Sequence, residues 1–576
     1  MLTPGQPTQI SSSAVLVPPD DRPADHAPIA PAHVGRASRA LVGLRRWESS
    51  AALLLISTVY SLIQGATQNI IGIDGYYHIK VALLMRQQGW RLLAPLDFPW
   101  LQLTILGPGR YTDHHFLFHV LQSPFTFGDP RIGAKMAAVL FAVIGLYTTY
   151  LFLARLGVRY PLLWTGVLIG CAPVFLWRQS MARTQSLSVL LIVLGLWVLF
   201  TGRLRWLVAI GFLAAWLFNG FFFVLGAPVG ALLVSVARLA AGPWWLRSRS
   251  QESGARSQEA DVGPSVRFAL TALAWTLVGL GLGLLLHPYF PRNVEFAFQH
   301  LLPKAMPAEQ VDITVGQEWY PYSLEGFVVR AGPSTVLTML GVIPILVTLW
   351  DRRWPDWRGL VLGILAFGFL GMVIRSQRIM EYYPAFAVLF CAWSWSYATG
   401  TRDALARLVP VRLPDSLGRA ARGLPLAPWL AALVMAPFVI ISTLVASKEA
   451  TDGLSWTFYR DGATWLARNT PEGSRVFTTG WDDFPHMFYW DTNNTYLVGL
   501  DPTYMSIEDP ALYQLWRSIS LGRVPAPARL IRERFDSPYV LSDMQHARFL
   551  EMAAADPDLE EVLRTRTVVV FRVRGG

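Results

Sequence analysis

Charged side chains are scarce in this chain and cysteines almost absent. Asp, Glu, Lys and Arg make up 15% of its 576 residues, against roughly a quarter in an average soluble protein. Two cysteines occur, Cys171 and Cys391, both inside apolar runs. That excludes a disulfide framework and a zinc site built on Cys-x-x-Cys. Acids and lysines are nearly missing from the apolar runs themselves, which argues against an ion-coupled carrier, because such proteins need ionisable groups at membrane depth. Basic residues exceed acidic ones, 49 to 39. The excess arginines fall in short segments between apolar runs and form no basic stripe, so nucleic acid is not an expected partner. No internal repeat is visible. The first 46 residues, rich in Pro, Ala, Ser and Asp, read as a disordered cytoplasmic tail without the apolar stretch of a signal peptide.

Long apolar runs are what the chain does have. Hydrophobic residues reach 53%, and near-charge-free stretches long enough to cross a ~30 Å hydrocarbon core recur. They lie near 49–66, 134–154, 160–177, 185–201, 206–221, 222–240, 267–287, 334–350, 358–374, 384–399 and 428–446. This predicts a polytopic α-helical membrane domain over 47–446 with about eleven spans. Arginines cluster before span one and after every second span: Arg36, Arg39, Arg45 and Arg46, then Arg155 and Arg159, Arg203 and Arg205, Arg238 to Arg256, Arg352 to Arg358, and Arg402 to Arg422. By the positive-inside rule the N-terminus is cytoplasmic, in the inner (cytoplasmic) membrane. The segments 67–133, 178–184, 288–333 and 375–383, and everything after 446, then face outward.

Two outward loops, 67–133 and 288–333, are too long to be mere connections. Residues 447–576 change texture. A helical stretch Arg460–Arg468 precedes a strand-like Arg475–Thr479, and further strands are expected at Tyr496–Leu500, Tyr539–Ser542 and Thr567–Val573. This is read as a soluble α/β domain on the outer face.

Candidate chemistry collects in the outward segments. Asp74-Gly75-Tyr76-Tyr77-His78 follows the first span. Asp74 is either a solvated helix cap or a working carboxylate held at headgroup level by Tyr76 and Tyr77; His78 adds a ligand or proton carrier. From Ile79 to Trp90 the pattern suggests a helix lying on the membrane interface. Asp113, His114 and His115 offer oxygen and nitrogen donors that, with Asp74, could hold a divalent cation, Mg or Mn; the alternative is an unliganded pair of interfacial imidazoles. Glu318 stands among aromatics in the second long loop, as a solvated glutamate or as the acid that completes the site. Arg375 and Arg378 break the charge rule for an outward loop. A guanidinium fork matches two phosphate oxygens, so these bind a lipid-linked phosphate or else pair structurally with Glu381. Arg178 and Arg183 break the rule in the same way.

Taken in order, these residues resemble a known family. Asp74 to His78 looks like the first acidic motif of the oligosaccharyltransferase catalytic subunits, which belong to the GT-C class of membrane glycosyltransferases. Ile313-Thr314-Val315-Gly316-Gln317-Glu318 is similar to their mobile-loop motif ending in glutamate. Arg378 followed by Tyr382-Tyr383-Pro384 resembles the arginine motif that contacts the donor phosphate. Trp465 to Pro471, leading into Gly480-Trp481-Asp482-Asp483, resembles the entry to the outer domain and its acceptor motif. Two departures stand out. Arg183-Thr184-Gln185-Ser186 occupies the place of a second acidic pair, and only Trp481 and Asp482 remain of the acceptor motif.

The resemblance implies an inverting transferase with a GT-C-like membrane domain. It would move a sugar or oligosaccharide from a polyprenyl-(di)phosphate donor to an extracytoplasmic lipid, glycan or protein. Asp74 and Glu318 would be catalytic, Arg378 and Arg375 would bind phosphate, and Tyr77, His78, Trp481 and Asp482 would contact substrate. The departures point to an acceptor other than an asparagine side chain. A non-catalytic glycan-lipid-binding membrane protein and a glycolipid transporter are the competing readings.

Overall fold

The computed structural model describes residues 36–91, 93–249, 263–305, 316–350, 354–397 and 426–575. The first 35 residues of the tail, Arg256, Arg352, Arg353, the Arg402–Arg422 stretch and Val311–Val315 of the loop motif lie outside them. Residues Ser49–Gly576 group as one compact unit.

A helix stands in each of the eleven apolar runs. In chain order the helices are α1 (Arg36–Gly65), α2 (Asp74–Gln87), α3 (Phe116–Gln122), α4 (Pro130–Arg155), α5 (Pro161–Cys171), α6 (Pro173–Gln179), α7 (Gln185–Phe200), α8 (Leu207–Leu217), α9 (Gly226–Arg249) and α10 (Val266–Leu285). After α11 (Arg292–Ala305) and α12 (Leu324–Arg330) come α13 (Gly332–Trp350), α14 (Trp357–Arg375), α15 (Tyr383–Tyr397) and α16 (Leu426–Thr451). Among the described residues six helices are long and apolar enough to cross a membrane, or seven if the bent pair α5–α6 is one span. This makes a multi-pass membrane protein. Much of the difference from eleven is one of length, since α7, α8 and α15 have 16, 11 and 15 residues. At 1.5 Å per residue α8 rises about 16 Å, well short of a ~30 Å core.

Side-chain caps start several helices where the sequence offers them: Asp129 accepts from the Arg131 N–H at 2.8 Å ahead of α4, and Asp356 accepts from Arg358 at 2.8 Å ahead of α14. Helices α8 and α10 pack closely because a side chain at Gly279 would stand 2.2 Å from the Val208 carbonyl; small residues allow such approach in lipid.

The C-terminal residues form a mixed five-stranded sheet in the order β2-β1-β3-β5-β4. Its strands are β1 (Arg475–Thr478), β2 (Thr495–Tyr496), β3 (Tyr539–Asp543), β4 (Leu559–Arg564) and β5 (Val568–Val573). Strands β1, β2 and β3 are parallel, while β5 runs antiparallel to β3 and to β4. The strand expected at Tyr496–Leu500 is instead the two residues Thr495–Tyr496, and Leu500, where it was expected to end, stands in the left-handed region at φ 64°. The sheet is not an isolated module. Tyr77, Phe98 and Tyr111 of the first long loop share one hydrophobic core with Phe484, Phe488, Val568 and Val570, and Tyr496 donates its N–H to the Trp100 carbonyl at 2.8 Å.

Helix α2 departs from expectation. It starts at Asp74 rather than Ile79 and is buried along most of its length, not laid on a surface. Gly75 permits the early start, since a side chain there would meet Ile70 Cγ2 at 2.5 Å. Tyr76 and Tyr77 are buried at 1% and 2% exposure and so form no belt. Tyr76 packs on His486 with ring centroids 4.1 Å apart, and Tyr77 shares its hydroxyl with that of Tyr111 at 2.7 Å.

Candidate active site

A cavity of about 1150 Å³ runs between the helical region and the C-terminal sheet domain. Asp74, His78, Arg178, Glu318, Arg378 and Asp482 line it, as do Arg375, Tyr77, Trp481, His114 and His115. Of the residues given a catalytic, binding or metal-ligating role from the sequence, Asp113 alone does not reach the cavity wall.

One end of the cavity is built of alternating acids and arginines. Helix α5 stops at Cys171, Pro173 opens α6, and the chain bends by 93° between them. The bend swings Arg178 into the wall, where its side chain is 5% exposed. Arg178 Nη1 donates to Glu318 Oε2 at 3.1 Å, and Arg378 Nη1 donates to Glu318 Oε1 at 2.7 Å. Arg183 Nη2 lies 3.1 Å from Asp74 Oδ2 and 3.9 Å from Glu318 Oε1. Glu381 is buried behind them, 3.7 Å from both Arg178 and Arg378. The Arg378–Glu381 contact expected from sequence is thus present, but Glu318 is the nearer partner.

The loop carrying Glu318 is stapled across the site. Ser376 Oγ donates to the Glu318 carbonyl at 2.9 Å, the Gln377 N–H donates to the Tyr320 carbonyl at 3.1 Å, and the Arg378 guanidinium lies over the Trp319 ring at 4.9 Å. Burial alone would raise the Glu318 carboxyl, but Arg378, Arg183 and Arg178 together hold it well below the usual carboxylate range.

These donors do not fit a divalent cation. Asp74, Asp113, His114 and His115 do not come together as a ligand set; among the described residues no group of three or more His, Cys, Asp or Glu side chains is arranged to hold a metal. Asp113 is committed elsewhere: Oδ2 lies 2.7 Å from His119 Nδ1, and Oδ1 accepts the His115 N–H at 3.0 Å. Asp74 and Glu318 face guanidinium groups, which already supply the positive charge a metal would bring.

Behind the cavity, imidazoles gather. His119, absent from the sequence reading, is fully buried, and its Nε2 lies 2.8 Å from His78 Nδ1. The ring of His115 sits 4.8 Å from that of His78. The only sequence signal for His119 was its place one helical turn after His115. On the opposite wall, Asp482 is exposed while its neighbour Asp483 is buried. Asp483 accepts from the Tyr459 hydroxyl and from the Gly480 N–H at 3.0 Å. Its carboxyl is pushed up to about 7 by burial and by the charge of Asp482.

No protein-family model matches the sequence, and no curated protein matches it. Solved structures do. The apo oligosaccharyltransferase of Archaeoglobus fulgidus superposes with a TM-score of 0.58 at 15% identity, covering 88% of this chain and 71% of that one. The protein has a GT-C, oligosaccharyltransferase-like fold. The oligosaccharyltransferase AglB of the same archaeon, in complex with an inhibitory peptide and a dolichol-phosphate, gives 0.56 at 14% identity over 89% and 71% of the two chains. The A. fulgidus enzyme tethered to an acceptor peptide containing the NVT sequon gives 0.54 at 14% over 88% and 71%. At such identities the likeness is one of fold.

Proposed function

We propose that the protein is an inverting glycosyltransferase. It moves a sugar or oligosaccharide from a polyprenyl-phosphate or -diphosphate donor to an acceptor on the outer side of the membrane. The observation that carries this reading is the convergence of Arg178, Arg183 and Arg378 on two cavity acids, Asp74 and Glu318, beside a bent membrane helix. A dense guanidinium cluster under a loop is suited to an anionic lipid head group. The archaeal enzyme of like fold binds a dolichol-phosphate, which supports a polyprenyl donor here.

In this reading the donor phosphate takes over the guanidinium groups of Arg378 and Arg178, with Arg375 on the same wall, and displaces Glu318. Glu318 and its loop then close over the sugar and exclude water. Asp74, at the N-terminus of α2, holds the acceptor against the anomeric carbon. Tyr77, His78, Trp481 and Asp482 frame the acceptor side. The N-terminus is cytoplasmic, the cavity opens on the outer face, and membrane lipid supplies the donor from the side.

One feature favours binding without transfer: both cavity acids are neutralised by arginine. Deleting the gene and analysing lipids and envelope glycans by mass spectrometry separates the readings. A transferase leaves an accumulated polyprenyl-linked sugar and a missing glycan, restored by the wild type but not by Asp74→Asn present at equal level. Restoration by Asp74→Asn would favour the binding protein.

A further inference from the structure

We infer that Asp113, His119 and His78 form a proton relay whose cavity end, His78 Nε2, takes the proton of a hydroxyl acceptor. The inference rests on the transferase reading of this cavity and adds the acceptor's chemistry to it.

The tautomers follow from the inner end outward. Asp113 is 1% exposed. Burial opposes its charge, but the contact with His119 and the N–H of His115 hold its carboxyl below the ordinary range. A carboxylate only accepts hydrogen bonds, so His119 Nδ1, 2.7 Å away, carries a proton. In neutral His119 the other nitrogen, Nε2, is then a lone pair, and it accepts from His78 Nδ1 at 2.8 Å. That leaves His78 Nε2 as a lone pair with no hydrogen-bond partner among the described residues. His78 lines the cavity one helical turn after Asp74, on the same face of α2.

The step balances without a co-reactant. The acceptor oxygen forms its bond to the anomeric carbon as the bond from that carbon to the phosphate oxygen breaks, the electron pair leaving on the phosphate. The acceptor proton goes to His78 Nε2, and the Nδ1 proton of His78 passes to His119 Nε2. The positive charge thus comes to rest on His119, against Asp113 and away from the arginines. Asp74 is a poorer candidate for this task because its Oδ2 faces Arg183 at 3.1 Å. An imidazole suits a hydroxyl, which loses its proton as its oxygen attacks; it does nothing to break the resonance of a carboxamide. His78 is faced by His119 and His115, by the ring of Tyr77, and by the charges of Arg183 and His114. Burial, then His119, Arg183 and His114, keep its imidazole well below 6.5, so Nε2 is unprotonated at neutral pH.

The test uses the full-length protein with donor-loaded membranes from the deletion strain, followed from pH 4.5 to 9. The wild-type rate is expected to fall only on the acid side, with a midpoint below 6.5. His78→Gln should lose about 10²–10⁴ in rate together with that acid limb. Asp113→Asn should lose rate with KM for the donor unchanged, and both variants should bind undecaprenyl phosphate as the wild type does. A His78→Gln variant within about threefold of wild type, or one that keeps the acid limb while Asp74→Asn loses it, overturns the relay and leaves the transferase standing. A wild type that transfers nothing overturns both. If a variant fails to fold, deuterium exchange at the imidazole C2 positions of the wild type decides: a His78 midpoint below 6.5 supports the relay, and one at or above 6.5 overturns it.

Discussion

Arg183 Nη2 stands 3.1 Å from Asp74 Oδ2, so the first cavity carboxylate is matched by a guanidinium at the place where the motif resemblance led one to expect a second acidic pair. In the proposed transferase a fixed positive charge at that point would perform the electrostatic task of a bound cation. Transfer by the wild type is therefore expected to be unchanged by EDTA. Arg183→Ala is expected to lose transfer, with no rescue by added Mg or Mn. Product formation in chelated and metal-supplemented membranes checks both outcomes.

Glu318 occupies Arg178 and Arg378, so in the proposed reading it competes with the donor phosphate for them. Neutralising it as Glu318→Gln is expected to tighten binding of undecaprenyl phosphate while lowering turnover, because the loop no longer returns a charge to the arginines. Arg378→Ala is expected to weaken binding about ten- to hundredfold, the worth of a hydrogen bond to a charged group. Titration in nanodiscs reads both constants, and equal affinities in the three proteins would contradict the shared-site geometry.

Asp483 gives stability a pH dependence opposite to that of an ordinary carboxylate. Its folded value, about 7, lies above an unfolded value of about 3.9. Its contribution is full below the unfolded value and is lost as pH rises through 7. Asp483→Asn should remove this slope, so that its melting temperature gains on the wild type between pH 5 and pH 8. Thermal scans of both proteins at the two pH values test this.

Phe98 joins the first long loop to the sheet domain. It is 2% exposed, stacks on Tyr111 at 4.1 Å and meets Phe488 at 5.6 Å. Phe98→Ala is expected to cost about 3–5 kcal/mol and to increase proteolysis within both 93–115 and 447–575. By contrast, breaking the exposed Glu560–Arg572 pair at 2.8 Å, as Glu560→Gln, should leave the melting temperature where it is, because solvent screens such a pair. Melting and limited proteolysis compare the two.

The residues that chemistry exposes were readable from the sequence. Asp74 stood out as a carboxylate just after the first span, Glu318 as an acid among aromatics in a long loop and Arg378 as a breach of the charge rule, and the fold brings all three to one cavity. Arg178 and Arg183 were visible only as breaches of the charge rule, because the bend at Ala172 that aims Arg178 inward depends on packing. His119 lies within the apolar stretch Phe-Leu-Phe-His-Val-Leu-Gln, where a histidine looks like a core residue. Its partnership with Asp113 and His78 is a matter of three-dimensional contact. Strand β4, Leu559–Arg564, escaped because it is an edge strand whose charges face solvent. Tyr76 and Tyr77 misled, since aromatics near a span end suit a lipid interface as well as a buried seam.

That seam bears on how the molecule is made. Val568 and Val570 of β5 pack in the same core as Tyr77, yet they leave the ribosome long after α2 has been made. The cavity wall around His78 and Asp482 therefore stays unfinished until the last strands of the chain have been made and have docked.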